Sequence, residues 1–468
     1  MSIDMDMNIL AVDDSGTMRV MFRQYLEKAG FKRITLAVNG LDALEKLENE
    51  GPFDLIISDW NMPKMDGLEL LVEVRKREAF KHIPLIMATA QGDKTQQETA
   101  RNAGSNGHVP KPFDEVELKS AIEKAFSPKE EVHTAGNYTP ETRDGKVVIR
   151  LGHIQITDHL ALGILKHWID NGEVNPDRFI LETERLPGWN PVQEKLENGD
   201  VSGAMVLAPI AMDLFAYNVP IRLVLFAHKN GSGFVRSSRY EEGPYTDKEN
   251  FYKYKVVNIP HKMSIHNMLA HKYLTGLGLK PGVPGQKAIN VRFEVVPPVK
   301  MPPIMKEDDS VGGFIVAEPI CTRAASSGLG SMEFASGSMW PDHPCCVVAL
   351  RQELINSAPD AVQELTDLLV KAGRFVSEDR KGAAEIALSF LDPEGKMGLS
   401  LPVLLQVLSQ KNGITMNDLY PSIEDLETIQ NYMYHDMGIG KLIDLNKFVD
   451  QRFADKATGR NAAASGAA

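Results

Sequence analysis

Cysteine is nearly missing from this chain: Cys321, Cys345 and Cys346 are the only three in 468 residues. So few thiols supply no disulfide framework. Long hydrophobic runs are missing as well. The longest apolar passage, Gly203 to Ala227, is interrupted by Pro209, Asp213, Asn218, Pro220 and Arg222, whereas a membrane helix needs about 20 consecutive, predominantly apolar residues. It reads as a buried strand–helix–strand, and no membrane insertion is expected. Positive charge is in deficit, with 51 Lys and Arg against 63 Asp and Glu and a formal net charge of −12. That balance argues against nucleic acid or an anionic membrane as the main partner, because such surfaces require clustered Lys and Arg. Met1 to Met7 lack the basic start and apolar core of a secretory leader, so a cytoplasmic location is expected.

What is present is the composition of a globular protein, 43% apolar and 24% charged. At roughly 100–200 residues per domain, this length implies about three domains. The first runs from Met1 to about residue 127. In it strand-like runs alternate with helical patterns: Asn8–Val12 then Met18–Ala29, Ile34–Ala37 then Leu41–Leu47, Phe53–Ser58 then Leu68–Val74. Ile83–Ala88 precedes a helix from about Lys94 to Ala103, and Gly107–Val109 precedes one from Glu115 to Phe126. Five such pairs imply a parallel sheet covered by helices on both faces.

The strand ends then carry the chemistry. Asp13 and Asp14 follow the first strand, Asp59 the third, Thr89 the fourth and Lys111 the fifth, and in a parallel sheet these ends share one edge. Clustered carboxylates repel one another unless a cation neutralises them, and hard oxygen ligands suit Mg²⁺. Asp59 can then act as a nucleophile towards phosphorus, with Lys111 drawing charge from the phosphoryl oxygens.

Val12-Asp13-Asp14, Ser58-Asp59-Trp60-Asn61-Met62-Pro63, Met65-Asp66-Gly67, Ala88-Thr89-Ala90 and Lys111-Pro112-Phe113 resemble the receiver domain of response regulators, closest to the chemotaxis type. The resemblance implies a (βα)5 doubly wound fold with Asp59 as phosphoacceptor. It implies Asp14 and Asp59 as direct Mg²⁺ ligands, Asp13 as a water-mediated contact, and Asn61 offering its backbone carbonyl. Thr89 and Lys111 would bind the phosphoryl group, and a histidine kinase would donate it. Where the family has a Tyr or Phe switch, this chain has His108.

Residues 128–146, with few apolar side chains and no period, read as an exposed linker. From Val147 to about Asp392 a second α/β pattern follows. Thr157-Asp158 reads as a cap for the helix Leu160–Ile169, and Gly231-Ser232-Gly233 as a turn with free amides. Ser264 reads as the cap of the helix Ile265–Leu277, with His266, a possible imidazolium, in its first turn, a composition suited to anions. A second lobe, about 236–317, inserted into the first describes a hinged clamshell with a small ligand between the lobes. Arg150-Leu151-Gly152 with Thr157-Asp158, Trp189-Asn190-Pro191-Val192, Lys195-Leu196 through Gly199, Leu207-Ala208-Pro209, Ser264 with His266, and Gly313 through Glu318-Pro319 carry a further resemblance. They are similar to the solute-binding proteins of the nitrate, sulfonate, bicarbonate and thiamine-precursor class, which have a type II periplasmic-binding fold. The resemblance implies Trp189 and His266 at the ligand, with Thr157, Ser232, Ser264 and Glu318 as further candidates.

His343-Pro344-Cys345-Cys346 reads as ordinary buried thiols, since adjacent residues of a strand point to opposite faces and no CxxC pair exists. The denser cysteine run that carries iron in the thiamine-precursor synthases of this fold is absent, which weakens an enzymatic reading. In the tail, residues 393–456, Leu399–Leu408, Glu424–Tyr434 and Leu442–Phe453 read as helices that wrap the clamshell or form its far end. The Ala, Gly and Ser of residues 457–468 suggest disorder. The expected protein is a cytoplasmic two-component signalling protein. It is no enzyme beyond its own phosphotransfer and dephosphorylation, it senses a small metabolite, an anion among the candidates, and it acts through a protein output partner. The alternatives are a receiver-regulated precursor synthase and a docking scaffold with a vestigial cleft.

Overall fold

A computed structural model describes residues 4–77, 79–90, 100, 103–126, 138–245, 247–283, 286 and 288–460. The helix expected from about Lys94 to Ala103, residues 128–137 of the linker and residues 461–468 of the tail fall largely or wholly outside them. The chain divides into two compact units, the first holding residues 1–132 and the second most of the remainder.

In the first unit, β1 (Asn8–Val12), β2 (Arg33–Ala37), β3 (Leu55–Asp59), β4 (Leu85–Ala90) and β5 (Gly107–Lys111) form a parallel sheet in the order β2-β1-β3-β4-β5. Every residue of β3 is buried, as a central strand covered on both faces requires. The helices start at sequence-coded caps. Ser15 accepts the amide of Met18 at the head of α1 (Gly16–Lys28). Asp66 and Glu69 form a reciprocal capping box at the head of α3 (Gly67–Lys76), which follows α2 (Gly40–Asn49). Leu70, Leu71 and Val74 of α3 then pack with Ile56, Leu85 and Met87 in one core cluster. The last helix of the unit is α4 (Glu115–Phe126).

Among the described residues the second unit holds two six-stranded sheets. The first contains β6 (Thr142–Arg143), β7 (Lys146–His153), β8 (Phe179–Arg185), β9 (Gly203–Leu207), β10 (Ile221–Phe226) and β17 (Cys346–Arg351). The second contains β11 (Ser232–Ser237), β12 (Val256–Ile259), β13 (Pro281–Gly282), β14 (Val291–Val295), β15 (Val311–Ala317) and β16 (Gly330–Ala335). The chain crosses between the sheets from β10 to β11 and returns from β16 to β17. The two crossings pair with each other: the amide of Asn230 donates to the His343 carbonyl at 2.9 Å, and that of Ala227 to the Cys346 carbonyl at 2.9 Å. The second lobe therefore takes strands from Ser232 through Ala335, wider than the 236–317 expected.

Two other differences concern the ends of this unit. Residues 138–146, though mostly exposed as expected, are part of it rather than a connector, because β6 hairpins onto β7 and the Tyr138 hydroxyl lies 2.8 Å from that of Ser202. In the tail, the third expected helix is two short ones, Leu445–Phe448 and Arg452–Thr458, the latter running into the stretch expected to be disordered. A helix at Arg380–Leu391 was not anticipated. The tail covers β10, which ends the sheet: Phe226 donates its amide to the Leu419 carbonyl at 2.8 Å, and Asp450 to the Leu223 carbonyl at 2.8 Å. An edge that would otherwise offer unpaired amides and carbonyls is thereby satisfied.

Candidate functional site

Register decides what meets at the carboxyl edge of the first sheet. Val12 lies opposite Ser58, Asp59 opposite Ala88, and Ala90 opposite Lys111. Asp13, Asp14 and Asp59 therefore converge, with carboxylate oxygens within 4.8 Å of one another. The Lys111 ammonium lies 2.8 Å from Asp59 Oδ1 and also bonds Asp13 Oδ2. Asp13 is steadied by the Ser15 amide, which donates to its Oδ1 at 2.9 Å. Burial pushes the Asp59 carboxyl up to about 7; Lys111 opposes that rise while Asp13 and Asp14 add to it. Burial works against the Lys111 charge, but Asp13 and Asp59 hold its ammonium above the ordinary lysine range. The Thr89 hydroxyl is buried with no hydrogen-bond partner among the described residues.

The loop after β3 is shaped to keep Asp59 at this edge. Asn61 is half-buried there, Lys64 takes a φ of 73°, and the Gly67 amide returns to the Trp60 carbonyl at 2.9 Å. A Cβ on Gly67 would stand 2.0 Å from the Asp59 carbonyl oxygen, so the close approach requires glycine. His108 is exposed on β5, in register with Met87. Three carboxylates beside one ammonium leave an excess of negative charge on hard oxygen atoms, a donor set that fits Mg²⁺.

In the second unit, Ser264 caps the helix Ile265–Gly276 by accepting the Asn267 amide at 3.0 Å, and its hydroxyl donates to the His261 carbonyl at 2.7 Å. His266 is buried, with Nε2 2.9 Å from the Ser232 hydroxyl and Nδ1 unpartnered among the described residues. Burial, with His343 and His228 adding to it, pushes this imidazole down to about 3. The possible imidazolium at the helix start is therefore a neutral ring. Gly231-Ser232-Gly233 is not an open turn either: Ser232 begins β11 and its amide donates to the Ser336 hydroxyl at 3.2 Å.

Thr157 does not cap a helix. Its amide and hydroxyl both donate to the Glu318 carbonyl, at 3.1 and 2.8 Å, and so tie the end of β7 to the end of β15. The Glu318 carboxylate accepts from the Thr322 amide at 2.9 Å and hydroxyl at 2.8 Å, and burial pushes it up to about 7. Trp189 opens the helix Trp189–Asn198 and is buried with its indole N–H unpartnered among the described residues. Its ring meets His159 edge-on at 5.9 Å. His159 Nε2, His343 Nε2 and both side-chain amide atoms of Asn258 are likewise buried without partners there. Burial depresses His159 far below its ordinary value and His343 to about 4. Both lobes thus contribute neutral, unspent hydrogen-bonding groups, and buried polar groups of this kind are normally satisfied by a ligand or by water. Sequence reasoning missed His159 and Asn258, although Asn258 stands near the carboxyl end of β12 and His159 closes the short turn that follows β7.

The cysteines are buried and free, as the sequence reading had them, but Cys345 and Cys346 are not held on opposite faces. Cys345 precedes β17 rather than lying within it, so strand alternation does not separate its side chain from that of Cys346. Both thiols reach Asp158 Oδ2, at 3.8 and 3.7 Å, and His228 Nε2 lies 3.0 Å from the same oxygen. Burial works against a charge on His228, but Asp158 together with Cys345 holds the imidazole up to about 10.

The first unit's fold and carboxyl-edge chemistry define a response-regulator receiver, and the crossed lobes of the second define a module of the periplasmic-binding type. The family model of the response regulator receiver domain matches residues 9–123, and that of the NMT1-like family matches residues 143–391. The second match spans more than half of the chain, which belongs to the NMT1-like family and carries a receiver domain ahead of that region. Chemotaxis protein CheY-3 of Vibrio cholerae is 41% identical over 124 residues, 26% of this chain and 95% of that protein. Among solved structures, the ligand-binding component of an ABC-type import system from Staphylococcus aureus, with zinc bound, superposes with a TM-score of 0.57 at 23% identity, covering 66% of this chain and 98% of that one. The periplasmic nitrate-binding protein NrtA from Synechocystis PCC 6803 gives a TM-score of 0.57 at 18% identity, covering 67% and 88%. At these identities the two structures speak for the fold alone. No helix among the described residues is long and apolar enough to cross a membrane.

Proposed function

We propose that this chain is a cytoplasmic two-component signalling protein in which Asp59 accepts a phosphoryl group from a histidine kinase and the second unit senses a small metabolite. The observation that carries the reading is the convergence of Asp13, Asp14 and Asp59 beside Lys111 and the Thr89 hydroxyl, which has no partner among the described residues. An Asp59 carboxylate oxygen attacks phosphorus; the new P–O bond forms as the P–N bond of phosphohistidine breaks, and the imidazole leaves with a proton. Lys111 turns from the Asp59 carboxylate to the transferred phosphoryl oxygens, and the Thr89 hydroxyl donates to another of them. Asp14, Asp59 and the Asn61 carbonyl would hold Mg²⁺, with Asp13 contacting it through water, and the ion would supply positive charge to those oxygens. His108, exposed two residues before Pro110, takes the switch position through which an output partner reads the phosphorylated state.

In the second unit, Trp189 and His266, with Ser232 behind the imidazole, form the ligand contacts. Thr157 and Glu318 set the junction of the lobes, and Ser264 fixes the helix that carries His266. Neutral donors rather than fixed cations favour a small ligand rich in hydrogen-bond acceptors, an anion included, in keeping with the Synechocystis nitrate-binding protein of the same fold. Neither unit needs catalysis beyond transfer and hydrolysis of its own phosphoryl group. The test is labelling with a small-molecule phosphodonor. The wild-type chain is expected to gain one acid-stable, alkali-labile acyl phosphate and Asp59→Asn none; equal labelling of Asp59→Asn would defeat the assignment.

A further inference from the structure

The four residues Asp158, His228, Cys345 and Cys346 come from three separate places in the chain and meet where it crosses between the lobes. Asp158 lies in the short 3-10 turn Thr157–His159 after β7, His228 on the outward crossing, and the cysteines at the end of the return crossing. All four are buried, and one ligand atom from each lies within 4.8 Å of the others. A tetrahedral ion with bonds of about 2.0–2.3 Å has ligand–ligand edges of about 3.3–3.8 Å. The separations here, 3.0 Å from His228 Nε2 to Asp158 Oδ2 and 3.7 and 3.8 Å from the two sulfurs to that oxygen, are close to this range.

Without an ion the arrangement is frustrated. His228 Nε2 faces both the Asp158 carboxylate and, at 3.2 Å, the backbone amide of Cys346. One ring nitrogen cannot donate to the first and accept from the second. Protonated, it leaves the amide without an acceptor; neutral, it sets lone pair against lone pair. Asp158 Oδ1 and His228 Nδ1 are also buried without a partner among the described residues, which a fully satisfied polar core would not leave. A cation drawing on Nε2, the carboxylate and both sulfurs removes the lone-pair repulsion of the neutral ring, though not the amide's want of an acceptor.

We propose that Asp158, His228, Cys345 and Cys346 form a four-ligand site for a soft divalent cation of the zinc class, built into the crossing between the two lobes. Two thiolates and an imidazole select such an ion over Mg²⁺, so the site is chemically distinct from the carboxylates of the first unit. Because its ligands lie on both crossings and on the turn whose Thr157 holds the Glu318 carbonyl, the ion fixes the segments about which the lobes would move.

The full-length chain, reduced and stripped with a chelator, is titrated with Co²⁺ in excess Mg²⁺. The expected result is one Co²⁺ per chain with thiolate-to-cobalt charge-transfer absorption and tetrahedral ligand-field bands, both abolished by Zn²⁺. The receiver's carboxylates cannot produce the charge-transfer signal, and Asp59→Asn should retain it. Loss of groups that merely support a metal ligand already costs about tenfold in affinity, so the nearly isosteric Asp158→Asn, and Cys346→Ser, should weaken binding at least that much, with folding checked by circular dichroism. Should either variant fail to fold, the wild-type spectrum decides alone. A folded, reduced wild-type chain without the charge-transfer band, or folded variants that bind as wild type does, would overturn the proposal.

Discussion

Asp59 has to be ionised to attack phosphorus, yet its burial beside Asp13 and Asp14 raises its carboxyl to about 7 from an ordinary 3.8. The sign of the stability effect follows. The raised group contributes stability that is fully present below its unfolded value and lost as pH rises through about 7. A divalent cation offsets that loss by holding the ionised form. The increase in melting temperature on adding Mg²⁺ is therefore expected to be larger at about pH 8 than at about pH 6, and to shrink in Asp59→Asn; an increase independent of pH in scanning calorimetry would contradict this. The residues of this edge were readable in advance because a parallel sheet gathers its strand ends, whatever their separation along the chain. The same rule does not reach Asp158 and Cys345, which are 187 residues apart and meet through crossing segments rather than neighbouring strand ends. Nor could sequence show that His266 is neutral, since its charge is decided by burial among other histidines.

At the scale of elements, α3 is placed against β3 by the absence of a side chain at Gly67. A Cβ there would also stand 2.9 Å from the Met87 side chain, so Gly67→Ala is expected to cost about 1–3 kcal/mol in urea unfolding, the range for overpacked sites. An unchanged midpoint would show that the loop gives way freely. The tail matters in another way. Removing residues 400–468 strips β10 of the backbone partners supplied by Leu419 and Asp450. The truncated chain should form larger species than the intact one in light scattering, and an identical mass profile would show that β10 needs no cover. The cap made by Ser264 was legible because a serine stands just ahead of an apolar helical pattern, whereas those of Ser15 and Asp66 went unread. Thr157 misled for a physical reason: its hydroxyl, suited to capping, is taken by a carbonyl 161 residues away. The helix Arg380–Leu391 was passed over although Asp379 caps it through the Gly382 amide, because it follows the longer helix Pro359–Glu378 with a single residue between them.

For the molecule as a whole, a phosphoacceptor and a two-lobed binding module on one chain form a regulatory device only if each alters the free energy of the other, and such coupling is reciprocal. The most direct test needs no knowledge of the ligand. Hydrogen exchange of the intact chain is measured with Mg²⁺, with and without beryllofluoride as the phosphoryl mimic on Asp59. The account predicts altered protection around the lobe crossings, at residues 227–231 and 336–346, in the wild-type chain and none in Asp59→Asn. Changes confined to residues 4–126 would contradict it, leaving a receiver and a binding module that share a chain without sharing a signal.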